Sequence, residues 1–262
     1  MIGGHGREFL GAMRYEFRMQ VRRRAVWITV GVLALLFFTL ERRFWTVPTD
    51  LSVAQAVGRW AGYLNFILPI GVGALLADRL VRDRGTRTDE LLKTLPASLN
   101  ARLWGKYLGS GCATILPLFI VYLIGVGHIF AARHDPRIIP LALAAFATIN
   151  VPGLLFVAAF SVVVPVVIWI PLYQVLFIGY WFWGNFMDPT LMPTFRDTWL
   201  NPLGLNAIRG LFHTDVFAHG EKTVNVTRTV GDGVGSIALL LVCAAIPVVM
   251  APWYLRWRQA QA

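Results

Sequence analysis

Few residues of this chain could carry out catalysis, and their spacing argues against it. The candidates for a nucleophile and its base are Ser110, Ser161 and His128. Ser110 and His128 share one apolar stretch, but they are 18 residues apart, which corresponds to about 27 Å along a helix. That separation is far beyond a hydrogen bond. The sequence therefore offers no arrangement for nucleophilic catalysis, and we expect no catalytic residue.

Patterns that bind metal ions or nucleotide phosphates are also missing. The five histidines have no HExxH-like spacing, and neither Cys112 nor Cys243 clusters with a histidine. The Gly-Lys pair at Gly105 and Lys106 is followed by Tyr107, and Asn100 stands where a phosphate-binding loop requires its first glycine. We expect no metal and no directly bound cofactor, and both cysteines to pack as small apolar residues.

Five long segments contain no Asp, Glu, Lys or Arg, and every fixed charge lies outside them. They are residues 25–40, 61–77, 107–132, 138–186 and 234–255. An ionisable side chain costs about 2.5–3.5 kcal/mol at the centre of a bilayer, and a helix needs about 20 apolar residues to cross it. With 56% hydrophobic and 15% charged residues, the chain is predicted to be an all-α integral membrane protein.

The fourth segment is too long for a single crossing. Its 49 residues would form a helix of about 73 Å, and Pro165 and Pro171 favour a turn within 163–173. We therefore predict a transmembrane domain over 25–255 with six spans. They cover approximately residues 25–44, 61–80, 106–131, 138–162, 166–187 and 234–255.

Lys and Arg concentrate in segments that this topology places on one side. Residues 1–24, the loop 78–106 and the tail 256–262 hold 15 of the 24 Lys and Arg but only six of the 14 Asp and Glu. By the positive-inside rule these segments, and both termini, are cytoplasmic. The net charge of +10 is thus interpreted as a topology signal, and we expect no nucleic-acid partner.

Residues 1–24 contain an amphipathic helical pattern over 7–22. Phe9, Met13 and Phe17 lie on one face of such a helix, and Arg14 and Arg18 lie on the adjoining face. Aromatic and arginine faces of this kind are typical of a helix in the cytoplasmic headgroup layer of the bilayer. The alternative is an ordinary basic stretch next to the membrane.

The cytoplasmic loop 78–106 contains the pattern of a second short helix. Thr86 with Asp89 resembles a capping box, and Pro96 ends the helix. An apolar edge mixed with charges is expected of a surface that docks a soluble partner, and a solvated helix without a partner is the alternative. The predicted contact residues are Thr86, Arg87, Thr88, Asp89, Glu90, Leu91, Leu92 and Lys93.

The predicted extracellular loop 187–233 is long and rich in Pro and Gly turn signals. Its segment 198–212 is nevertheless apolar and aromatic in patches. Because such a segment is unfavourable in water, we expect part of the loop to return into the outer leaflet.

Taken together, these features resemble the membrane subunit of bacterial ABC exporters of the type-2 permease class. The resemblance covers essentially the whole chain. The segments that carry it are 78–83, 89–96, 105–109 and 175–185, together with the six spans and the N-terminal helix.

The resemblance implies an obligate assembly in the bacterial plasma membrane. Two permease subunits, identical or different, would pair around a central path, and two separate ATP-binding subunits, which bind ATP and Mg, would dock beneath them. The helix 86–95 would be the coupling helix, and the N-terminal helix would contact the same partner. The turn 163–173 would make a second contact, although Trp169 and Ile170 are apolar where such a turn is normally polar.

In this class the second and fifth spans usually line the path. The resemblance thus implies substrate contacts for Asn65, Phe66, Gln174, Phe177 and Tyr180, although the same residues suit interhelical hydrogen bonds and packing. A path without fixed charge favours export of a hydrophobic or amphipathic substrate, such as a lipid, a peptide or a drug-like molecule. The alternatives are a membrane scaffold or sensor that transports nothing, and an ATP-independent carrier or channel, although the latter usually needs ionisable groups within the membrane.

Overall fold

The computed structural model describes residues 2–40, 50–81, 98–217 and 227–260, and within these ranges the chain is helical, without a strand. The all-α prediction is confirmed for this part of the chain. The helices are α1 (Ile2–Val21), α2 (Arg24–Leu40), α3 (Val53–Leu76), α4 (Leu99–Arg133), α5 (Ile138–Ala145), α6 (Val151–Val163), α7 (Ile170–Phe186), α8 (Leu205–Phe212) and α9 (Val230–Ala260). A π-helical turn, Phe146–Asn150, joins α5 to α6, and a 3₁₀ turn, Val164–Val166, extends α6.

By length and composition, four helical stretches of the described chain can cross a bilayer. They are Val53–Val81, Leu99–Arg133, Ile138–Val166 and Val230–Arg258. The apolar helices α2 and α7 contain 17 residues each, about 25 Å, which is less than the ~30 Å of a typical hydrocarbon core. The chain is therefore a multi-pass membrane protein.

Helix caps, rather than charges, set where two of these helices begin. Ser52 caps α3 in a reciprocal capping box with Gln55, and Ser98 accepts a hydrogen bond from the Ala101 backbone at the start of α4. The charge pattern predicts that these spans start at 61 and 106, because arginine and lysine residues stand in the preceding turns. The helices begin about two turns before the predicted spans, and a helix can extend beyond the hydrocarbon core with charged residues in its end turns.

Two contacts show which helix ends lie together. Arg23, before α2, pairs with Asp78, after α3, at 2.8 Å. Arg133, at the end of α4, donates to the Leu51 carbonyl before α3 at 2.6 Å. The helices α2, α3 and α4 therefore alternate in direction. The end of the bundle that carries α1 is called the α1 end below, and the other is called the cap end.

A folded cap occupies the cap end between α7 and α9. Seven residues of α8 are buried: Leu205, Asn206, Ala207, Ile208, Arg209, Gly210 and Phe212. Pro202 approaches α6 so closely that a methyl group at Gly153 would overlap its carbonyl oxygen. Part of segment 198–212 thus lies among the helices, and Leu203 reaches the middle of α3 through Asn65.

Candidate functional site

Helix α1 packs along the first turns of α4 through two glycines. A methyl group at Gly105 would lie 2.7 Å from the Ala12 Cβ, and one at Gly109 would lie 2.5 Å from the Met13 carbonyl oxygen. Small residues four positions apart allow two helix backbones to approach closely, as in the GxxxG pairs of membrane helices. The segment 105–109, which contributed to the family resemblance, therefore forms the seat of α1.

A buried ionic cluster lies beside this seat and joins three elements. The Glu16 carboxylate of α1 accepts a hydrogen bond from Arg79 Nη2 at 2.5 Å, and its other oxygen lies 3.0 Å from Lys106 Nζ. The exposed fractions of these side chains are 10% for Glu16, 5% for Arg79 and 6% for Lys106. We call Glu16, Arg79 and Lys106 the ionic junction. It ties α1, the end of α3 and the start of α4 to one another.

Further buried polar groups lie one helical turn beyond the junction on both helices. Gln20 of α1 is fully buried, and neither atom of its amide has a hydrogen-bond partner among the described residues. Ser110 of α4 is also fully buried with its hydroxyl unsatisfied by the described part of the chain. An unsatisfied buried polar group costs about 1–3 kcal/mol.

The region of α1 also contacts both boundaries of segment 82–97. At one boundary, Arg23 donates two hydrogen bonds to Asp78, at 3.1 and 2.8 Å, and the bond to Asp78 raises the pKa of Arg23. At the other boundary, the Ser98 backbone N–H donates to a carboxylate oxygen of Glu8 at 3.2 Å. The N-terminal region thus holds the described residues on both sides of segment 82–97.

The predicted coupling residues belong to that segment. They lie outside the described residues: Thr86, Arg87, Thr88, Asp89, Glu90, Leu91, Leu92 and Lys93. The structure therefore shows how their flanks are held, and their docking role stays a prediction.

The most deeply buried residues of α1 are not those of the apolar face predicted from the sequence. Phe9, Met13 and Phe17 are partly buried, and Arg14 and Arg18 are exposed. The polar residues Glu16 and Gln20 are more deeply buried than these three apolar residues. Periodicity identified the aromatic stripe but not the polar residues beside it. The GxxxG spacing at 105–109 is the sequence signal that could have indicated a helix packed at this position.

The five predicted path residues lie on α3 and α7, and several of them connect the two helices. The Phe177 ring covers Gly73, where an added methyl group would overlap the ring. Gln174 Nε2 donates to the Ala74 carbonyl at 3.3 Å, and Tyr180 is partly buried. Phe66 packs against Phe186, with ring centroids 5.1 Å apart. In this structure these side chains pack within a single chain, and their contact with a substrate stays a prediction.

Asn65, the remaining path residue, belongs to a buried network of asparagines. Its Nδ2 donates to the Ile149 carbonyl at 3.1 Å and to the Leu203 carbonyl at 3.2 Å. Asn150, in the π-helical turn, donates to Asn65 Oδ1 at 2.8 Å and to the Ala61 carbonyl at 2.9 Å. These bonds hold α3, the π turn and the segment before α8 together. π turns are frequent at functional sites, and no periodic signal in the sequence identifies Asn150.

We expect Asn150→Ala to destabilise the protein by about 1–2 kcal/mol, because it removes two buried interhelical hydrogen bonds. Thr148→Ala is the matched control from the same turn, since the Thr148 hydroxyl donates to the Ala144 carbonyl of its own helix. Reversible unfolding in mixed detergent micelles measures both changes. Equal stability of the two variants would contradict the structural role of the network.

The cap is held by a second charge cluster. Arg209 of α8 is buried and contacts Asp197 at 2.7 Å and Asp215 at 2.8 Å. Burial lowers the pKa of Arg209, but the two carboxylates raise it, and the net shift is upward. Arg228 donates to the Asp197 carbonyl, which connects the start of α9 to the same cluster. Arg209 therefore stays charged and holds α8 against the loop segments that contain Asp197 and Asp215.

The residues with catalytic potential are dispersed. Within the described ranges, no group of three or more His, Cys, Asp or Glu side chains could hold a metal ion. The Ser161 hydroxyl lies 2.7 Å from the Tyr173 hydroxyl, in the packing of α6 against α7. Cys112 and Cys243 are free thiols. In the described part of the chain, polar side chains come together in the ionic junction, the asparagine network and the cap cluster, besides the Arg23–Asp78 pair.

Comparison with known proteins adds no relative. No protein-family model matches the chain, and no curated protein matches it in sequence. A function for this chain is therefore inferred from the contacts described above.

Proposed function

We propose that this chain is the membrane-spanning permease subunit of an ATP-driven ABC exporter of the type-2 class. In this proposal two permease subunits pair in the bacterial plasma membrane, and two ATP-binding subunits dock at the α1 end. The observation that carries the proposal is the set of ionic contacts that α1 and Arg23 make with both flanks of segment 82–97.

The proposal includes a six-span topology with α1 in the cytoplasm. Beside the four long helices, α2 and α7 run between the two ends of the bundle, and a local thinning of the bilayer accommodates helices of about 25 Å. Helix α4, with 35 residues, measures about 52 Å and extends beyond the hydrocarbon core. Because α1 packs on its first turns, α1 would lie at a membrane surface in this topology. By the positive-inside rule, the excess of Lys and Arg at this end would make it the cytoplasmic one.

The ionic junction would transmit motion from the ATP-binding subunits. Binding of ATP would close the two ATP-binding subunits and displace segment 86–95. Its flanks are tied to α1, α3 and α4, and removing one partner of a buried ion pair costs about 3–5 kcal/mol. The flanks would therefore move together with these helices rather than bend away from them. Such rigid movement would switch the path between its inward-facing and outward-facing states.

The cargo in this proposal is hydrophobic or amphipathic. The outward face of α7 presents large apolar side chains, among them Val175, Leu176 and Phe182, and neither α3 beyond Arg59 nor α7 contributes a charge. A second permease subunit facing this surface would enclose a path without fixed charges. A lipid, a peptide or a drug-like molecule suits such a path better than an ion does.

Affinity purification tests the assembly. The tagged chain, co-expressed with an ATP-binding subunit encoded beside it, is expected to purify in detergent as two permease and two ATP-binding subunits with ATPase activity. A chain that purifies without any ATP-binding protein would contradict the exporter proposal. That outcome would favour a scaffold, a sensor or an ATP-independent carrier.

The docking role of segment 86–93 has its own prediction. We expect the double variant Glu90→Ala/Leu91→Ala to lower the ATPase activity of the complex, or the yield of the complex, by at least about five-fold, because it removes a charged and an apolar contact. The variant Leu191→Ala is the control, since Leu191 is exposed at the cap end. An intact, fully active complex with the double variant would refute this docking role.

A further inference from the structure

A large cleft opens at the α1 end, between the end of α6 and the last turns of α9. Its volume is about 810 Å³, within the range of about 300–1,000 Å³ that is usual for ligand sites. Val163 and Val167 form one wall, and Pro247 and Met250 form the other. Val167 and Met250 are both strongly exposed. The cleft is therefore apolar along most of its length and open on its outer side.

Aromatic residues mark one end of the cleft as the boundary between membrane and water. Trp253 and Trp257 line the cleft, and 79% and 56% of their surface is exposed. Trp169, in the turn that follows the 3₁₀ turn, is 74% exposed. Tryptophans concentrate at the level of the lipid headgroups. The apolar wall therefore lies at acyl-chain depth, and the tryptophan end lies at headgroup depth.

The headgroup end carries positive charge. Arg256 lines the cleft, and Arg258 Nη1 lies 3.5 Å from the Val166 carbonyl oxygen on the opposite wall. The segments that form the cleft, 138–186 and 234–260, contain no Asp or Glu. A ligand with a long apolar part and an anionic group at one end would complement this arrangement.

We propose that the cleft binds one anionic phospholipid of the leaflet at the α1 end. An acyl chain would lie along Val163, Val167 and Met250, and the headgroup phosphate would contact Arg256. Arginine forms paired hydrogen bonds with phosphate oxygens, and basic side chains at a membrane surface favour anionic over zwitterionic lipids. This inference depends on the membrane location of the chain and not on ATP-driven export.

Native mass spectrometry of the purified full-length chain tests the proposal. The protein is titrated with phosphatidylglycerol or phosphatidylcholine of identical acyl chains, and the first bound lipid is quantified. We expect phosphatidylglycerol to bind more tightly than phosphatidylcholine. Arg256→Gln is expected to weaken phosphatidylglycerol binding by about five-fold, the factor that one basic residue contributes near an anionic surface, with little effect on phosphatidylcholine. Equal binding of the two lipids to the wild-type protein would overturn the proposal.

Two further variants distinguish lipid binding in the cleft from a general attraction of anionic lipids to the positively charged surface. Arg22→Gln removes an exposed arginine at the same end but outside the cleft, and it is expected to leave lipid binding unchanged. Met250→Trp narrows the apolar wall and is expected to weaken the first binding step for both lipids. If Arg22→Gln and Arg256→Gln weaken binding equally, the charge effect belongs to the whole surface and the assigned site is wrong.

A second copy of the chain is the competing occupant. It is tested with Met250→Cys in a chain whose two native cysteines are replaced by alanine. Under oxidising conditions in membranes, we expect little cross-linked dimer, because a lipid fills the cleft. Efficient cross-linking would show that the cleft is an interface between copies and would overturn the lipid assignment.

Discussion

Replacing Glu16 with alanine is expected to lower the free energy of unfolding by about 3–5 kcal/mol, because it removes the anion of a buried ionic cluster. The carboxylate contacts Arg79 and Lys106 at 2.5 and 3.0 Å, and both cations are almost fully buried. Without the carboxylate between them, two positive charges remain in a region of low dielectric. Reversible unfolding in mixed detergent micelles measures the change.

Two comparisons separate this charge effect from a general effect on α1. Arg14→Gln changes an exposed residue of the same helix, and surface changes of this kind usually stay within about 0.5 kcal/mol. The triple variant Glu16→Met/Arg79→Met/Lys106→Met removes all three charges, and it is expected to recover much of the loss, because apolar replacements of a buried ionic group are often tolerated. If Glu16→Ala and Arg14→Gln are equally stable, the junction does not hold α1.

The same variants would link stability to the proposed function. Loss of the junction removes the ionic contacts by which Glu16 connects α1 with Lys106 of α4 and with Arg79 on the flank of segment 82–97. In a complex with ATP-binding subunits, the triple variant is therefore expected to retain the fold but to couple ATP hydrolysis to transport less efficiently. A loss of coupling in a variant that keeps its fold would show that the junction transmits motion and does not only stabilise the structure.

The sequence predicted the helical architecture well because the bilayer imposes strong constraints on composition. A long segment without charge has few stable conformations in hydrocarbon other than a helix, and all five charge-free blocks contain helices. The ends of the helices were harder to predict. Ser52 and Ser98 extend α3 and α4 past residues that the charge pattern excluded, because a cap hydrogen bond depends on local geometry and not on hydropathy.

The polar contacts inside the bundle were harder to predict from the sequence than the ends of the helices. Glu16 is counted among the charges of a basic segment, yet its burial depends on Gly105 and Gly109, which lie far away in the sequence. Asn150 occupies a π-helical turn that no periodicity indicates. Asn65 stands out in the sequence as a polar residue in an apolar span, but its partners could not be identified, because they lie in the π turn and in the loop before α8.

The loop 187–233 combines a feature that the sequence predicts with one that it does not. Its apolar patches predict that part of it returns into the outer leaflet, which stays a prediction, and α8 is buried among the helices. The charges that hold it, Arg209 with Asp197 and Asp215, come from within the loop itself. Sequence alone offers no reason to pair them, because the carboxylates lie on opposite sides of the arginine in the chain and only the folded cap brings them together.

Replacing Gly109 with valine is expected to lower the free energy of unfolding by about 1–3 kcal/mol, since overpacking of a close contact costs that much. The first added carbon would lie 2.5 Å from the Met13 carbonyl oxygen and 2.9 Å from the Glu16 Cβ. Because the nearest atom belongs to the backbone, no change of side-chain rotamer can relieve the clash. Helix α1 must move away from α4, which also lengthens the contacts of Glu16 in the ionic junction.

Gly127 provides the matched control, because it lies in the same helix and a methyl group there would meet no atom within 4 Å. Gly127→Val is expected to leave stability within about 0.5 kcal/mol of the wild-type protein. Combining Gly109→Val with Glu16→Ala is expected to cost less than the sum of the two single losses, since both act on the same contact between α1 and α4. If the two losses add fully, or if both glycine variants are equally stable, close packing at Gly109 does not position the junction.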